Sequence, residues 1–76
     1  MNHIVTLGDY IKSAREKRGM TLQEVADLAF CSKSYLCELE ASKSIPNLSL
    51  AAALAHVLHI DLQYMGLYAL RTGVKQ

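Results

Sequence analysis

Thr21-Leu22-Gln23-Glu24-Val25-Ala26-Asp27-Leu28-Ala29-Phe30-Cys31-Ser32-Lys33-Ser34-Tyr35-Leu36-Cys37-Glu38-Leu39-Glu40 is the stretch on which the architecture turns. It opens on a capping box: the Thr21 hydroxyl can accept from the backbone N–H of residue 24, and the Glu24 carboxylate can accept from the N–H of Thr21. Leu22, Val25, Ala26 and Ala29 then recur at helical spacing and give this helix one apolar face. Ser32 is the next good N-cap, and Leu36 and Leu39 at i, i+3 follow it on a further helix. Only Ala29 to Cys31 separates the two. The spacing predicts a pair of short helices joined by a tight turn.

On the N-terminal side, Leu7, Ile11 and Ala14 fall at i, i+4 and i+7, and Tyr10 widens their face. Lys12, Ser13, Glu16 and Lys17 take the opposite side, and Gly19 ends this first helix in the left-handed conformation that side chains resist. On the C-terminal side, Ser42 to Asn47 is a loop broken by Pro46. Asn47 or Ser49 can cap a fourth helix with a broad apolar face of Leu48, Ala51, Ala52, Leu54, Ala55 and Leu58. His59-Ile60-Asp61 is a short connection, and Asp61 caps a fifth helix bearing Leu62, Met65, Leu67, Tyr68 and Leu70. Strand-like alternation, repeats and low-complexity segments are absent. The fold class is therefore all-α, five short helices in a single domain over 1–76, with a core over 6–70 and a frayed tail over 71–76.

A chain of 76 residues holds one compact domain with a thin core. A hydrophobic share of 51% argues against disorder and leaves apolar surface for a second copy to cover. No apolar run approaches the roughly 18 residues of a membrane span. The start, Met1-Asn2-His3-Ile4-Val5, lacks the basic and long apolar segments of a signal peptide, so the expected location is the cytoplasm, with no membrane partner. Cys31 and Cys37 are too far apart for a CxxC motif and fit a reducing compartment. His56 and His59 have no cysteine pair or carboxylate cluster to complete a metal site, so no metal or cofactor is expected. No nucleophile, base and orienting group come together, which argues against an enzyme. The net charge is only +1, so any affinity for nucleic acid has to come from where the charges sit. Arg15, Lys17 and Arg18 cluster early, Lys33 and Lys43 flank the middle, and Arg71 and Lys75 lie near the end.

Taken in register, several stretches resemble one family, the phage-repressor-like helix-turn-helix regulators of the Cro/repressor, xenobiotic-response-element type. They are Leu7 to Ile11, Arg15 to Ala26, Ser32 to Leu36, Leu39-Glu40, Pro46-Asn47-Leu48 and Leu54-Ala55. The resemblance runs without an obvious gap from Leu7 to about Met65. It implies a lambda-repressor-like DNA-binding domain in which the second and third helices form the helix-turn-helix. It also implies a sequence-specific regulator of transcription, a repressor that binds a palindromic operator on double-stranded DNA as a homodimer. A groove-entering helix needs short polar side chains at its N-terminus and apolar ones on its back, as Ser32, Lys33 and Ser34 ahead of Leu36 and Leu39 provide. Lys33 can donate to guanine, Ser34 can pair with several base edges, and Glu38 one turn later can accept from a cytosine amino group. The family's base-reading positions match Lys33, Ser34 and Glu38, with Tyr35 and Cys37 as further contributors. Phosphate contacts fall at the helix starts, Thr21 to Gln23 and Ser32, and in the loop Ser42-Lys43-Ser44.

The resemblance further implies a partly buried ion pair between Arg15 and Glu40. Two departures from the family pattern stand out. Leu22 occupies a position where many relatives carry a phosphate-binding glutamine, leaving that role to Gln23 or Arg18. Phe30 stands where relatives commonly have a turn glycine, so either the turn differs or Phe30 takes a strained conformation. The fifth helix is apolar nearly all round, and its Tyr64, Met65, Leu67, Tyr68 and Leu70 point to a two-fold dimer interface. The competing reading is a protein-interaction module of the same fold, such as an antitoxin that holds a toxin and controls its own operon. An antirepressor protein is a further partner that this surface can accommodate.

Overall fold

The computed structural model describes residues 6–72, with side chains described through Leu67. The elements run α1 (Leu7–Lys17), α2 (Leu22–Ala29), α3 (Lys33–Glu40), α4 (Leu48–Leu58) and α5 (Leu62–Thr72), with no strand among the described residues. The all-α, five-helix expectation holds. α5 runs through Arg71 to Thr72, and the rest of the tail expected over 71–76 lies outside the described residues. None of the described helices is long and apolar enough to cross a membrane.

Short polar side chains start each helix. The Thr21 Oγ1 accepts from the Glu24 N–H at 3.1 Å while Glu24 Oε1 accepts from the Thr21 N–H at 2.8 Å, the capping box expected from the sequence. Thr6 and Asp9 form a second capping box at the start of α1 that the sequence reading passed over. Ser32 caps α3, Asp61 Oδ1 accepts from Gln63 N–H at the start of α5, and Asn47 rather than Ser49 caps α4. The C-termini share one device. After each of α1 to α4 a residue with positive φ turns the chain, namely Gly19, Phe30, Ser42 and His59. The N–H that follows then donates to a carbonyl five residues back: Met20 to Arg15, Cys31 to Ala26, Lys43 to Glu38 and Ile60 to Ala55. These ends fix the helix lengths, and with them the angles at which the helices can meet.

The helices pack around one core. Leu7, Ile11 and Ala14 of α1 meet Val25, Ala26 and Ala29 of α2, Leu36 and Leu39 of α3, Ala51, Leu54, Ala55 and Leu58 of α4, and Met65 of α5. α1 lies against α3, α4 and α5, and α2 against α3 and α4. Tyr10 is half-buried against this core, as its place beside the α1 face implied. Two residues of the expected α4 face are outside it: Ala52 is exposed and Leu48 is 74% exposed. They stand four residues apart on one face of α4, and helical spacing alone does not say how wide the covered sector is.

Candidate nucleic-acid interface

α3 presents one exposed face beside two buried leucines. Leu36 and Leu39 are fully or almost fully buried and anchor the helix. Lys33, Ser34, Cys37 and Glu38 are all exposed, and their i, i+1, i+4, i+5 spacing puts them on a single side. A helix is about 10–12 Å across, which fits a major groove about 12 Å wide. Tyr35 stands apart from this group, half-buried against the core, so it buttresses the helix more than it extends the exposed face. Ser32 Oγ accepts from the Tyr35 N–H at 3.0 Å, which leaves its own O–H free to donate outward.

The electrostatics at this helix start differ from those of α1 and α2. Those two carry Asp9 and Glu24 in the first turn, where a carboxylate offsets the positive end of the helix dipole. α3 has no acid there and begins with Lys33 instead. The start of α3 is thus left with uncompensated positive character, which costs the fold a little stability and attracts an anion.

The phosphate candidates do not all gather there. Thr21 is exposed at the start of α2, its oxygen occupied as the cap and its O–H available as a donor. Lys43 is exposed and Ser44 half-exposed in the loop after α3. Gln23 spends its amide on Asp27, donating to Oδ1 at 2.8 Å. Arg18 turns the other way, with Nη1 at 3.3 Å from His59 Nδ1 beside the α4–α5 connection. Neither Gln23 nor Arg18 therefore stands as placed in the position that Leu22 leaves vacant. Ser42 is also committed, its Oγ 2.6 Å from Thr6 Oγ1, which ties the loop to the start of α1.

Arg15 and Glu40 form the frame that aims α3. Arg15 Nε donates to Glu40 Oε2 at 2.7 Å, Nη2 donates to Glu40 Oε1 at 3.0 Å, and Nη1 donates to the Met20 carbonyl at 2.8 Å. The two side chains are only 12% and 7% exposed. One guanidinium thereby joins α1, the α1–α2 turn and the end of α3 in a two-pronged pair. Hydrogen bonding of the guanidinium to the Glu40 carboxylate outweighs burial and raises the Arg15 pKa, so the charge is permanent.

Sequence reasoning missed a neighbour of this pair. A Cβ on Gly8 would collide with the Leu39 carbonyl and lie 2.7 Å from both the Glu40 carbonyl and Ser42 Oγ. α1 and the end of α3 touch backbone to backbone at Gly8, so the absent side chain sets how α3 leans. A glycine within a helical pattern was the available signal.

Phe30 resolves its own question. It adopts the left-handed conformation, φ 60°, and is 93% exposed. The turn is the one a glycine would make, and Phe30 takes it without burying its ring. Cys31 is half-buried behind it, and burial pushes its thiol pKa up, which keeps it protonated. On α5, Tyr64 and Leu67 are exposed, 56% and 54%. Met65 is not available to a partner: at 1% exposed it is the α5 contribution to the core, because the α5 face that meets α1 and α4 is the one that carries it. The side chains of Tyr68 and Leu70 lie outside the described residues.

Comparison with known proteins matches this arrangement to one family. The helix-turn-helix family model matches residues 11–65. The chain is 38% identical over 56 residues to the transcriptional regulator ClgR of Mycobacterium tuberculosis, covering 74% of this chain and 50% of that protein. It is 36% identical over 58 residues to the immunity repressor protein of Bacillus phage phi105, covering 76% of this chain and 40% of that protein. The chain thus spans about half the length or less of these relatives. Among solved structures, ClgR from Corynebacterium glutamicum superposes with a TM-score of 0.76 at 30% identity, over 87% of this chain and 70% of that one. SinR, a master regulator for biofilm formation solved in complex with DNA, superposes with a TM-score of 0.74 at 28% identity, over 79% of this chain and 97% of that one. With five helices in this order and a match across most of its length, the chain belongs to the helix-turn-helix family whose members include these transcriptional regulators.

Proposed function

We propose that this chain is a sequence-specific, double-stranded DNA-binding regulator of transcription, a repressor that acts as a homodimer on a palindromic operator in the cytoplasm. The observation that carries the reading is the exposed polar face of α3, held in place by buried Leu36 and Leu39 and by the Arg15–Glu40 pair. Lys33, Ser34 and Glu38 contact base edges, and Cys37 adds an apolar contact beside them. Thr21, Ser32, Lys43 and Ser44 hold phosphates on either side of the groove. The DNA in the SinR structure supports this use of the fold. No catalytic step belongs to the proposal: binding blocks access to a promoter by occupancy. Dimerisation is supported by the large apolar side chains that the chain exposes, Leu48, Leu62, Tyr64 and Leu67. Two copies would read half-sites about 34 Å apart.

Selection from a pool of random DNA duplexes, with the native chain beside a Lys33→Ala, Ser34→Ala double variant, tests the reading. The native chain should enrich a palindrome that the variant loses or changes. If nothing is enriched at moderate salt, α3 does not read DNA and the proposal fails.

A further inference from the structure

α3 ends where Ser42 turns the chain into the loop that carries Lys43 and Ser44. Ser42 does this with a φ of 64°, in the left-handed region that is unfavourable for a residue with a side chain. The same turn after α1 is made by Gly19, φ 66°, with open space around it. A serine at the second turn needs a reason that backbone shape does not give, and its hydroxyl supplies one. Ser42 Oγ lies 2.6 Å from Thr6 Oγ1, a short contact for two hydroxyls. Thr6 is itself fixed: its Oγ1 accepts from the Asp9 N–H at 3.1 Å, and its N–H donates to Asp9 Oδ2 at 3.2 Å. Gly8 leaves room for the pair, since an added Cβ would lie 2.7 Å from Ser42 Oγ. The far side of the loop is anchored by other means. Pro46 is buried, and Ile45 packs half-buried against the core. Lys43 and Ser44 thus span the gap between two fixed points, with Lys43 exposed and its N–H donating to the Glu38 carbonyl at 2.9 Å.

We infer that the Thr6–Ser42 hydroxyl pair is a positioning device for DNA binding, which holds the Lys43–Ser44 loop in the shape that meets a phosphate. The inference rests on the proposed DNA-binding function and deepens it. It moves Ser42 from the phosphate contacts expected of the loop Ser42-Lys43-Ser44 to the support beneath them. A lysine on a mobile loop loses backbone as well as side-chain freedom when it meets a phosphate, and whatever is ordered in the free protein reduces that loss. The Lys43 side chain stands in water, so only the backbone beneath it can be ordered in advance. The hydroxyl pair does this at the end of the loop where no apolar side chain is buried: Ala41 and Ser42 are exposed, unlike Ile45 and Pro46. α1 then supports both parts of the interface. Its Arg15 holds the end of α3 through Glu40, and Thr6, its N-cap, holds the loop, so the base-reading face and the phosphate contact share one frame. A partly exposed hydroxyl pair is modest in strength, enough for a several-fold change in affinity and too little to decide whether the chain folds.

Fluorescence anisotropy on the duplex that the native chain selects tests this, with Ser42→Gly, Thr6→Ser and a Lys43→Ala, Ser44→Ala double variant, each checked by thermal melting. Glycine at residue 42 removes the hydroxyl but relieves the left-handed strain, so Ser42→Gly should melt close to the native temperature. Its Kd should nevertheless rise about fivefold, while the slope of log K against log salt stays native because no charge is lost. Thr6→Ser keeps the cap and the hydroxyl and should rescue native affinity where a lost hydroxyl does not. In the background that lacks Lys43 and Ser44, Ser42→Gly should cause no further loss, since nothing remains for the pair to position. Native affinity in Ser42→Gly would overturn the inference. A loss that persists undiminished in the Lys43→Ala, Ser44→Ala background would also overturn it, making Ser42 a direct contact or a residue of the fold alone. A native chain that selects no duplex would remove the DNA-binding reading and the device with it, an outcome distinct from native binding that Ser42→Gly leaves unchanged.

Discussion

At the scale of single residues, the ion pair Arg15–Glu40 and the turn residue Phe30 each carry a free energy that a substitution can read. The ion pair is nearly buried, so removing one partner leaves a charge with no replacement solvation. Arg15→Met or Glu40→Met should each lower unfolding free energy in urea by about 3–5 kcal/mol, and the double substitution should cost less than the two singles summed. Because the raised pKa belongs to a base, the contribution from Arg15's own protonation is present below the ordinary arginine value and fades only as pH climbs past it. Stability measured between about pH 6 and about pH 9 should therefore show no step from Arg15. Phe30 holds a left-handed conformation that costs an L-residue about 1–2 kcal/mol, and it contributes almost no burial in return. Phe30→Gly gives back part of that gain by loosening the unfolded chain. A net stabilisation of about 0.5–1 kcal/mol should appear as a melting temperature several degrees higher.

At the scale of elements, the interest lies in how α3 starts and how it leans. Its first residue is a lysine where the dipole prefers an acid. Lys33→Glu should stabilise the free protein by about 0.5 kcal/mol in thermal unfolding while abolishing affinity for DNA, a trade in which function costs stability. An equal loss of both would mean that Lys33 serves the fold alone. The lean is set by Gly8, where α1 meets the carbonyls that end α3. Gly8→Ala has nowhere to put its methyl group except by separating the two helices, and backbone carbonyls do not step aside as side chains do. We expect a loss of about 2–3 kcal/mol by urea unfolding, although alanine favours helix elsewhere.

The whole molecule carries little net charge, +1, so its grip on a polyanion depends on a few well-placed cations. Removing a cation that neutralises a phosphate should alter the salt dependence of binding, not merely its affinity. Lys43→Ala should reduce the slope of log K against log salt by about one unit and weaken all duplexes alike, because a phosphate contact carries no sequence information. A changed base preference instead would place Lys43 on a base edge.

The sequence by itself determined what depends on neighbours along the chain. Helix positions, the Thr21–Glu24 box, the glycine turn at Gly19 and the polar lead of α3 all arise from interactions within about five residues, and those spacings can be read directly. Thr6 and Asp9 were legible by the same rule and were overlooked. The pairing of Arg15 with Glu40 entered through family resemblance, since no local pattern links residues so far apart. Tertiary structure alone decided the rest: that Met65 faces the core while Tyr64 and Leu67 face water, that Leu48 stands outside, that Arg18 turns to His59, and that Gly8 is a point of backbone contact. A helix of apolar residues offers several candidate inner faces, and only the helices packed against it choose one.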